Sequence, residues 1–347
     1  MKSWAQLFDK AGNIRAEVDG VFTRSSLLNA VGKAEFTQLT KSRKTLDKNF
    51  HPGNFIVIYH SDLPDPWVGK IIPDANGGIE RFKFQAASAE TQFYDRTGAL
   101  RQTVGADTAP AGQIYKDLIP VANADEDTLL REGEIYLGGA PVQCIVSHRS
   151  LGLTVEALMR KSGEEYSVTP DVNNNKLTLL ANWHKQRGSL QETEMNRATC
   201  EFPDDAWARL GPIWNQINAI GDPDETDPAN VIPPPIYSAK EPASSAKYYL
   251  AVMFLHVSAT DLPTVAEEAN ANLAKYAWPV RRVKVRVRSG KKLMRTLRVG
   301  NTYPLNEKFG FNPSGTVGVD TAVRLLGWAH TDGDKGIEVT VKEVAAG

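Results

Sequence analysis

Residues 283–288 read Val-Lys-Val-Arg-Val-Arg, and this short stretch constrains the fold more tightly than any other part of the chain. On an extended strand, successive side chains point to opposite faces. Val283, Val285 and Val287 therefore share one face, while Lys284, Arg286 and Arg288 share the other, with Arg282 in register. Burying the valine row is worth roughly 1.5–3 kcal/mol per side chain. A slip of one residue would bury the cations instead, so the register is fixed. The stretch predicts a half-buried β-strand with a cationic outer row. That row can face solvent, a neighbouring subunit or a polyanion. The aromatic residues that interleave with cations in single-strand nucleic-acid binders are missing here. Like charges two residues apart repel, which predicts carboxylates on a neighbouring strand or subunit.

The rest of the chain limits the meaning of that basic row. Lys and Arg number 40 against 41 Asp and Glu, for a formal net charge of -1, so the basic surface is local and not general. At 41% hydrophobic over 347 residues, the chain can bury a substantial core in two or three domains. Two cysteines, Cys144 and Cys200, are too few for a disulfide scaffold and read as buried thiols in a reducing compartment. The first ten residues lack the apolar stretch of a signal peptide, and no apolar run approaches a membrane span.

Most of the chain has the texture of β-structure. A strand, a turn at Asp9–Asn13 and a second strand open it. Asn54–His60, Trp67–Pro73 and the Ile79–Ser88 stretch read as further strands, spaced like a small barrel or sandwich. From Leu151 the pattern becomes helical until Gly163, followed by a strand–turn–strand hairpin centred on Asn173–Asn175. Residues 204–220 place Trp207, Leu210, Ile213, Trp214 and Ile217 on one helical face, with a kink expected at Gly211-Pro212. The Pro-rich stretch 221–245 reads as an extended tether. Lys247–Val257 reads as a buried strand. Asp261 caps a helix with Pro263 in its first turn and a stripe of Val265, Ala269, Leu273 and Tyr276. Strands are then expected at 280–288, 292–298, 322–330 and 336–343.

The fold class this predicts is β-rich α+β: tandem small β-barrels with an inserted helix-hairpin module. The expected divisions are an N-terminal barrel over 1–149, the helix-hairpin module over 150–202, a kinked helix and linker over 203–245, and a C-terminal barrel over 246–347.

Signatures of chemistry are absent. The six histidines form no HExxH pair, and no phosphate-binding loop, dinucleotide fingerprint or nucleophile elbow occurs. Asp222–Asp227 alternates carboxylates but lacks the glycine and terminal glutamate of a calcium loop. No catalytic residue, cofactor site or metal site is expected. The seven tryptophans default to core packing; Trp67, between prolines and a glycine, is the one expected at an interface.

The ordering of these pieces resembles phage tail hub proteins. Pro52-Gly53-Asn54 leading into a strand, followed by Trp67-Val68-Gly69-Lys70-Ile71, is similar to that family's first domain. The segment 153–183 looks like its helix-hairpin module. Three stretches resemble its closing barrel: Val299-Gly300-Asn301-Thr302-Tyr303-Pro304-Leu305, Val323-Arg324-Leu325-Leu326-Gly327 and Ile337-Glu338-Val339-Thr340-Val341. The resemblance covers about two thirds of the chain and has no counterpart for residues 221–245.

The resemblance implies a non-enzymatic baseplate or tail-tip hub. Such a hub is a threefold homotrimeric ring that continues the tail tube and docks a distal spike or fibre, with an adjacent tail ring protein and the tape measure protein as further partners. It implies residence in the virion after assembly in the host cytoplasm, no membrane anchoring, and DNA only in transit. Some related tail-tip proteins add a peptidase or lysozyme domain, for which residues after the last strand leave no room. Phosphate contacts bind, so a cationic lumen would hold DNA back. Arg282, Lys284, Arg286 and Arg288 are therefore expected to face a subunit or partner. Two other readings stay open: a receptor- or carbohydrate-binding tail-tip module, marked by exposed tryptophans in one groove, and a cell-wall hydrolase, which needs a His and a carboxylate converging in a pocket.

Overall fold

A computed structural model of the chain describes residues 3–344 except 40–48, 78–80, 98–101, 104–108, 143–144, 147–149, 203–206, 210–212, 225, 227–230, 248, 279–280, 289, 291 and 308–318. Cys144, His148, Leu210, the Gly211-Pro212 pair and Pro279 lie outside the described residues. Two compact units emerge. One comprises Met1–Ala206 with Val283–Gly347, the other Trp207–Arg282.

The first unit is organised by a 13-stranded sheet that takes strands from both ends of the chain. Ser3–Phe8 pairs antiparallel with Ile14–Val18 on one side and with Phe55–His60 on the other. From there the order runs through Trp67–Gly77, Arg81–Ser88, Lys33–Leu39 and Val21–Leu27. Val21–Leu27 then pairs with Val319–Thr331, which carries Gly336–Glu343, Arg281–Arg288 and Cys200–Glu201 beyond it. The strands expected near the C-terminus are present, but 246–347 is not a sheet of its own. Its strands from Arg281 onward continue the sheet begun by the first hundred residues, whereas Val252–His256 lies in another sheet, and the expected boundary at 245/246 falls inside the second unit. Lys292–Thr296 is a 3-10 helix instead of a strand. Leu293, Met294 and Leu297 are all buried, a helical spacing that an alternating strand cannot satisfy.

Between the two ends of the sheet lies a helical segment. The Leu151–Ser162 helix ends at Gly163 in the left-handed conformation, as its sequence predicts. Glu165–Asn173 and Lys176–His184 then form an antiparallel hairpin across Asn174 and Asn175, both at positive φ. The sequence reading missed the Ala111–Ala122 helix, which buries Ile114, Tyr115, Leu118 and Ile119, and the Leu130–Ile135 strand, which pairs parallel with Lys176–His184. These elements share one core with Leu151, Val155, Leu158, Tyr166 and Trp183. The helix and hairpin therefore belong to a larger core that begins before residue 150.

The second unit is a three-stranded sheet, Ile236–Lys240, Gln216–Ile220 and Val252–His256, with the Leu262–Tyr276 helix packed on one face. Asp261 caps that helix by accepting from Thr264 N at 2.8 Å. Two expectations fail here. In place of the helix expected over 204–220, the described residues form strands Trp207–Arg209 and Gln216–Ile220. The residues after Pro212 are too few for a stable helix, and their burial alternates: Ile217 and Ala219 are buried, while Ile220 is exposed. The tether is not a tether either, since Ile236–Lys240 is a strand of the small sheet. No helix among the described residues is long and apolar enough to cross a membrane.

Candidate assembly surfaces

The basic strand folds as its alternation predicts. Val283, Val285 and Val287 are buried, whereas Lys284, Arg286 and Arg288 stand exposed. The Arg282 side chain lies outside the described residues. Cys200–Glu201 lies alongside, with Cys200 opposite Val287 and Glu201 opposite Arg286. The expected carboxylate is Glu201, whose Oε1 is 3.7 Å from Arg288 Nε. Both side chains are about half exposed, so this pair adds little stability. Among the described residues, no carboxylate reaches Lys284 or Arg286. The outer row is therefore a solvent-facing cationic strip.

A second surface, which the sequence reading did not identify, belongs to the Trp207–Arg282 unit. Nine of the sixteen large apolar side chains exposed among the described residues fall in this fifth of the chain. Phe254 is 82% exposed and Ile236 is 70% exposed. The register explains the arrangement. Ile217, Ala219, Ala239 and Leu255 face the helix, which leaves Ile220, Ile236 and Phe254 on the open face. Within the apolar run 247–257 the strand is Val252–His256, with one covered face and one presented face, not a buried strand. Exposed apolar concentrations of this kind mark interaction surfaces.

Trp67, expected at an interface, is buried at 5% exposure, and its Nε1 donates to Ser25 O at 2.9 Å. Its ring folds across Gly69, where an added Cβ would sit 2.3 Å from the ring and 2.5 Å from Ala87 O. The Trp-Val-Gly-Lys motif is a packing device. Among the described residues, the exposed tryptophans are Trp4, stacked on Tyr59 at 5.3 Å, and Trp278, both of which default to core by sequence. They lie in different units.

The Val-Arg-Leu-Leu-Gly motif is explained in the same way. Arg324 donates from Nη1 and Nη2 to the two carboxylate oxygens of Glu165, each at 2.6 Å, and from Nε and Nη2 to Gly300 O and Arg187 O. Glu165 also accepts from Arg187 N at 2.8 Å. Each nitrogen of this nearly buried guanidinium has an acceptor, and the clamp ties the hairpin to the C-terminal strands. Gly327 follows a register shift in its strand, and a Cβ there would meet Leu27 Cδ2 at 2.7 Å and Ser26 O at 2.8 Å.

Three places in the large unit bring together a cavity or groups that could carry chemistry. A cavity of ≈ 70 Å³ beside Trp67 and Trp328 has room for about two waters, too little for a sugar ring. The Ser167 Oγ and His184 Nε2 contact at 3.1 Å joins two strands, and Ser167 is buried, so no substrate reaches it. His60, His330 and Asp332 bring three potential ligand atoms within 4.8 Å of one another. They do not suit a metal ion. His60 Nδ1 accepts the Asp62 N–H at 3.0 Å, which places the ring proton on Nε2, the atom that would have to ligate. The buried Arg24 guanidinium, 3.7 Å from Asp332, already supplies the positive charge there.

No protein-family model matches the sequence, and no curated protein matches it. Solved structures do match. The fold superposes on prophage tail protein gp18 from Listeria monocytogenes EGD-e with a TM-score of 0.58 at 12% identity, covering 99% of this chain and 94% of that one. A 43 kDa tail protein of prophage MuSo2 from Shewanella oneidensis gives 0.59 at 8%, covering 98% of each. A tail protein from Neisseria meningitidis MC58 gives 0.56 at 9%, covering 99% and 96%. The chain has the fold of phage tail proteins from end to end.

Proposed function

We propose that this chain is a structural protein of a phage tail tip or baseplate: a hub whose copies close a threefold ring, continue the tail tube and dock a distal spike or fibre. The observation that carries this reading is the whole-length fold likeness to three tail proteins, each matched over nearly its entire chain. Two surfaces support an assembly role. The Lys284, Arg286 and Arg288 strip, in which Glu201 accompanies only Arg288, offers positive charge to a neighbouring subunit or tail protein. The Ile220, Ile236 and Phe254 face offers apolar area that its own unit leaves uncovered. The adjacent tail ring and tape measure proteins are the further partners this role requires, with DNA in transit through the ring, residence in the virion and no chemistry by the chain itself. In a closed ring, self-complementary or head-to-tail contacts bury such surfaces.

The test is triple charge reversal, Lys284→Glu with Arg286→Glu and Arg288→Glu. The side chains are exposed, so circular dichroism and thermal midpoint should stay near wild type. Ring formation, read by sedimentation velocity, should be lost. Unchanged assembly by the folded variant would remove the basic strip from the interface.

A further inference from the structure

Five polar side chains meet where the first strand of the chain approaches the last hairpin. Cross-strand partners Ser3 and His60 face cross-strand partners Arg24 and His330, with Asp332 from the following turn. Ser3 Oγ donates to Asp332 Oδ1 at 2.6 Å, Phe22 N donates to Oδ2 at 3.0 Å, and Arg24 Nη1 donates to Ser3 Oγ at 3.3 Å. The His60 and His330 rings meet edge to face, 4.9 Å between centroids at 87°. Ser3, Arg24, His60 and His330 are each at most 7% exposed. Arg24 Nη2, His60 Nε2 and His330 Nδ1 have no hydrogen-bond partner among the described residues, and His330 Nε2 lies 3.4 Å from Asp332 Oδ1 without hydrogen-bond geometry.

The charge balance of this seam is narrow. With both imidazoles neutral the five residues hold one cation, Arg24, and one anion, Asp332, and the Asp62 carboxylate is a second anion acting on His60 from outside the five. The charged or titratable groups facing His60 are Arg24 from its strand, His330 and Asp332 from the C-terminal hairpin, and Asp62 just beyond its own strand. An added proton makes two cations against Asp332 in a site closed to solvent, and Asp62 already spends its backbone N–H on His60 Nδ1. That amide bond is lost once Nδ1 is protonated, since an imidazolium has no acceptor. Acid therefore removes one hydrogen bond and adds one uncompensated buried charge.

We propose that this seam is a proton-operated latch: uptake of one proton at His60 releases the first strand, Ser3–Phe8, from the Val319–Thr331 strand and its turn. Burial, with Arg24 and His330 adding to it, already holds the His60 pKa down to about 4, so at neutral pH the latch is closed. Opening relieves the misfit locally, because Ser3 and Asp332 lie at opposite ends of the chain and are joined here through a side-chain hydrogen bond.

Hydrogen exchange of the full chain between pH 7 and pH 4.5, normalised for the intrinsic rate at each pH, tests this. Protection of amides in 3–8, 21–27 and 328–332 should fall by up to about tenfold per pH unit below 6.5, the slope for one proton. Protection of the Leu151–Ser162 helix should hold. His60→Gln keeps an acceptor for Asp62 N but cannot be charged, so it should abolish the acid response. Imidazole NMR titration of the wild-type chain gives the same answer if that variant does not fold, by showing whether His60 takes up a proton as the strand opens. Unchanged protection at pH 4.5, the same acid response in His60→Gln, or loss of the response in His330→Gln alone would overturn the assignment.

Discussion

The two units of this chain use apolar side chains in opposite ways. In the large unit the valines of 283–287, the Ile56–Ile58 stretch and Ile114, Tyr115, Leu118, Leu151, Val155 and Leu158 of the two helices are buried, and Arg324 is clamped on Glu165. In the small unit the core is built largely from short side chains, Ala219, Ala239 and Ala269 among them, while Phe254 and Ile236 point outward. Burial scales with size, so a small unit has little core to spend. Leaving Phe254 and Ile236 outside makes sense when a second surface completes the burial, as the proposed assembly role requires. The contrast teaches that the large unit closes over its own apolar groups while the small one leaves a face uncovered.

The contrast can be broken most forcefully at the clamp. Arg324→Ala leaves the Glu165 carboxylate buried without its bidentate partner and should cost about 3–5 kcal/mol, read as a lowered denaturant midpoint. A change below 1 kcal/mol would mean that the two segments are not joined there. Next comes Gly69→Ala, which forces a methyl against the Trp67 ring and the Ala87 carbonyl. It should cost about 1–3 kcal/mol and shift Trp67 fluorescence. Acidification gives a graded effect. His60 has a folded-state pKa of about 4 against the ordinary 6.5, so the folded state binds fewer protons than the unfolded one over this range. Stability should therefore be fully present above pH 6.5 and fall progressively towards pH 4, with the slope reduced in His60→Gln. The smallest stability effect is expected at Phe254→Ser, within about 0.5 kcal/mol of wild type. Self-association should nonetheless weaken, and a large loss of stability there would make Phe254 a core residue after all.

Legibility from the sequence followed the same division. The strand 281–288, the turn at Asn174–Asn175, the helix stop at Gly163 and the cap at Asp261 were readable because each rests on a local rule of alternation or turn chemistry. The motifs around Gly69 and Gly327 were visible as a resemblance, but their physical reasons lie in contacts with Trp67, Ala87 and Leu27 that only the fold supplies. The Glu165–Arg324 pair and the His60 seam join residues more than a hundred positions apart, beyond any local pattern. The small unit misled most. Apolar spacing over 207–217 fits a helix as well as two short strands, and a run such as 249–255 does not reveal that one face stays open. The Ala111–Ala122 helix did carry a signal, with apolar residues at 114, 115, 118 and 119, yet Pro120 near its end obscures it.

The central claim is that copies of this chain close a threefold ring. Its most direct test is the mass of the purified protein by light scattering across a range of concentrations, with negative-stain images of the same peak. The account predicts a trimer of the 38.1 kDa chain with a central hole. A monomer at every concentration, with no ring in the images, would contradict it.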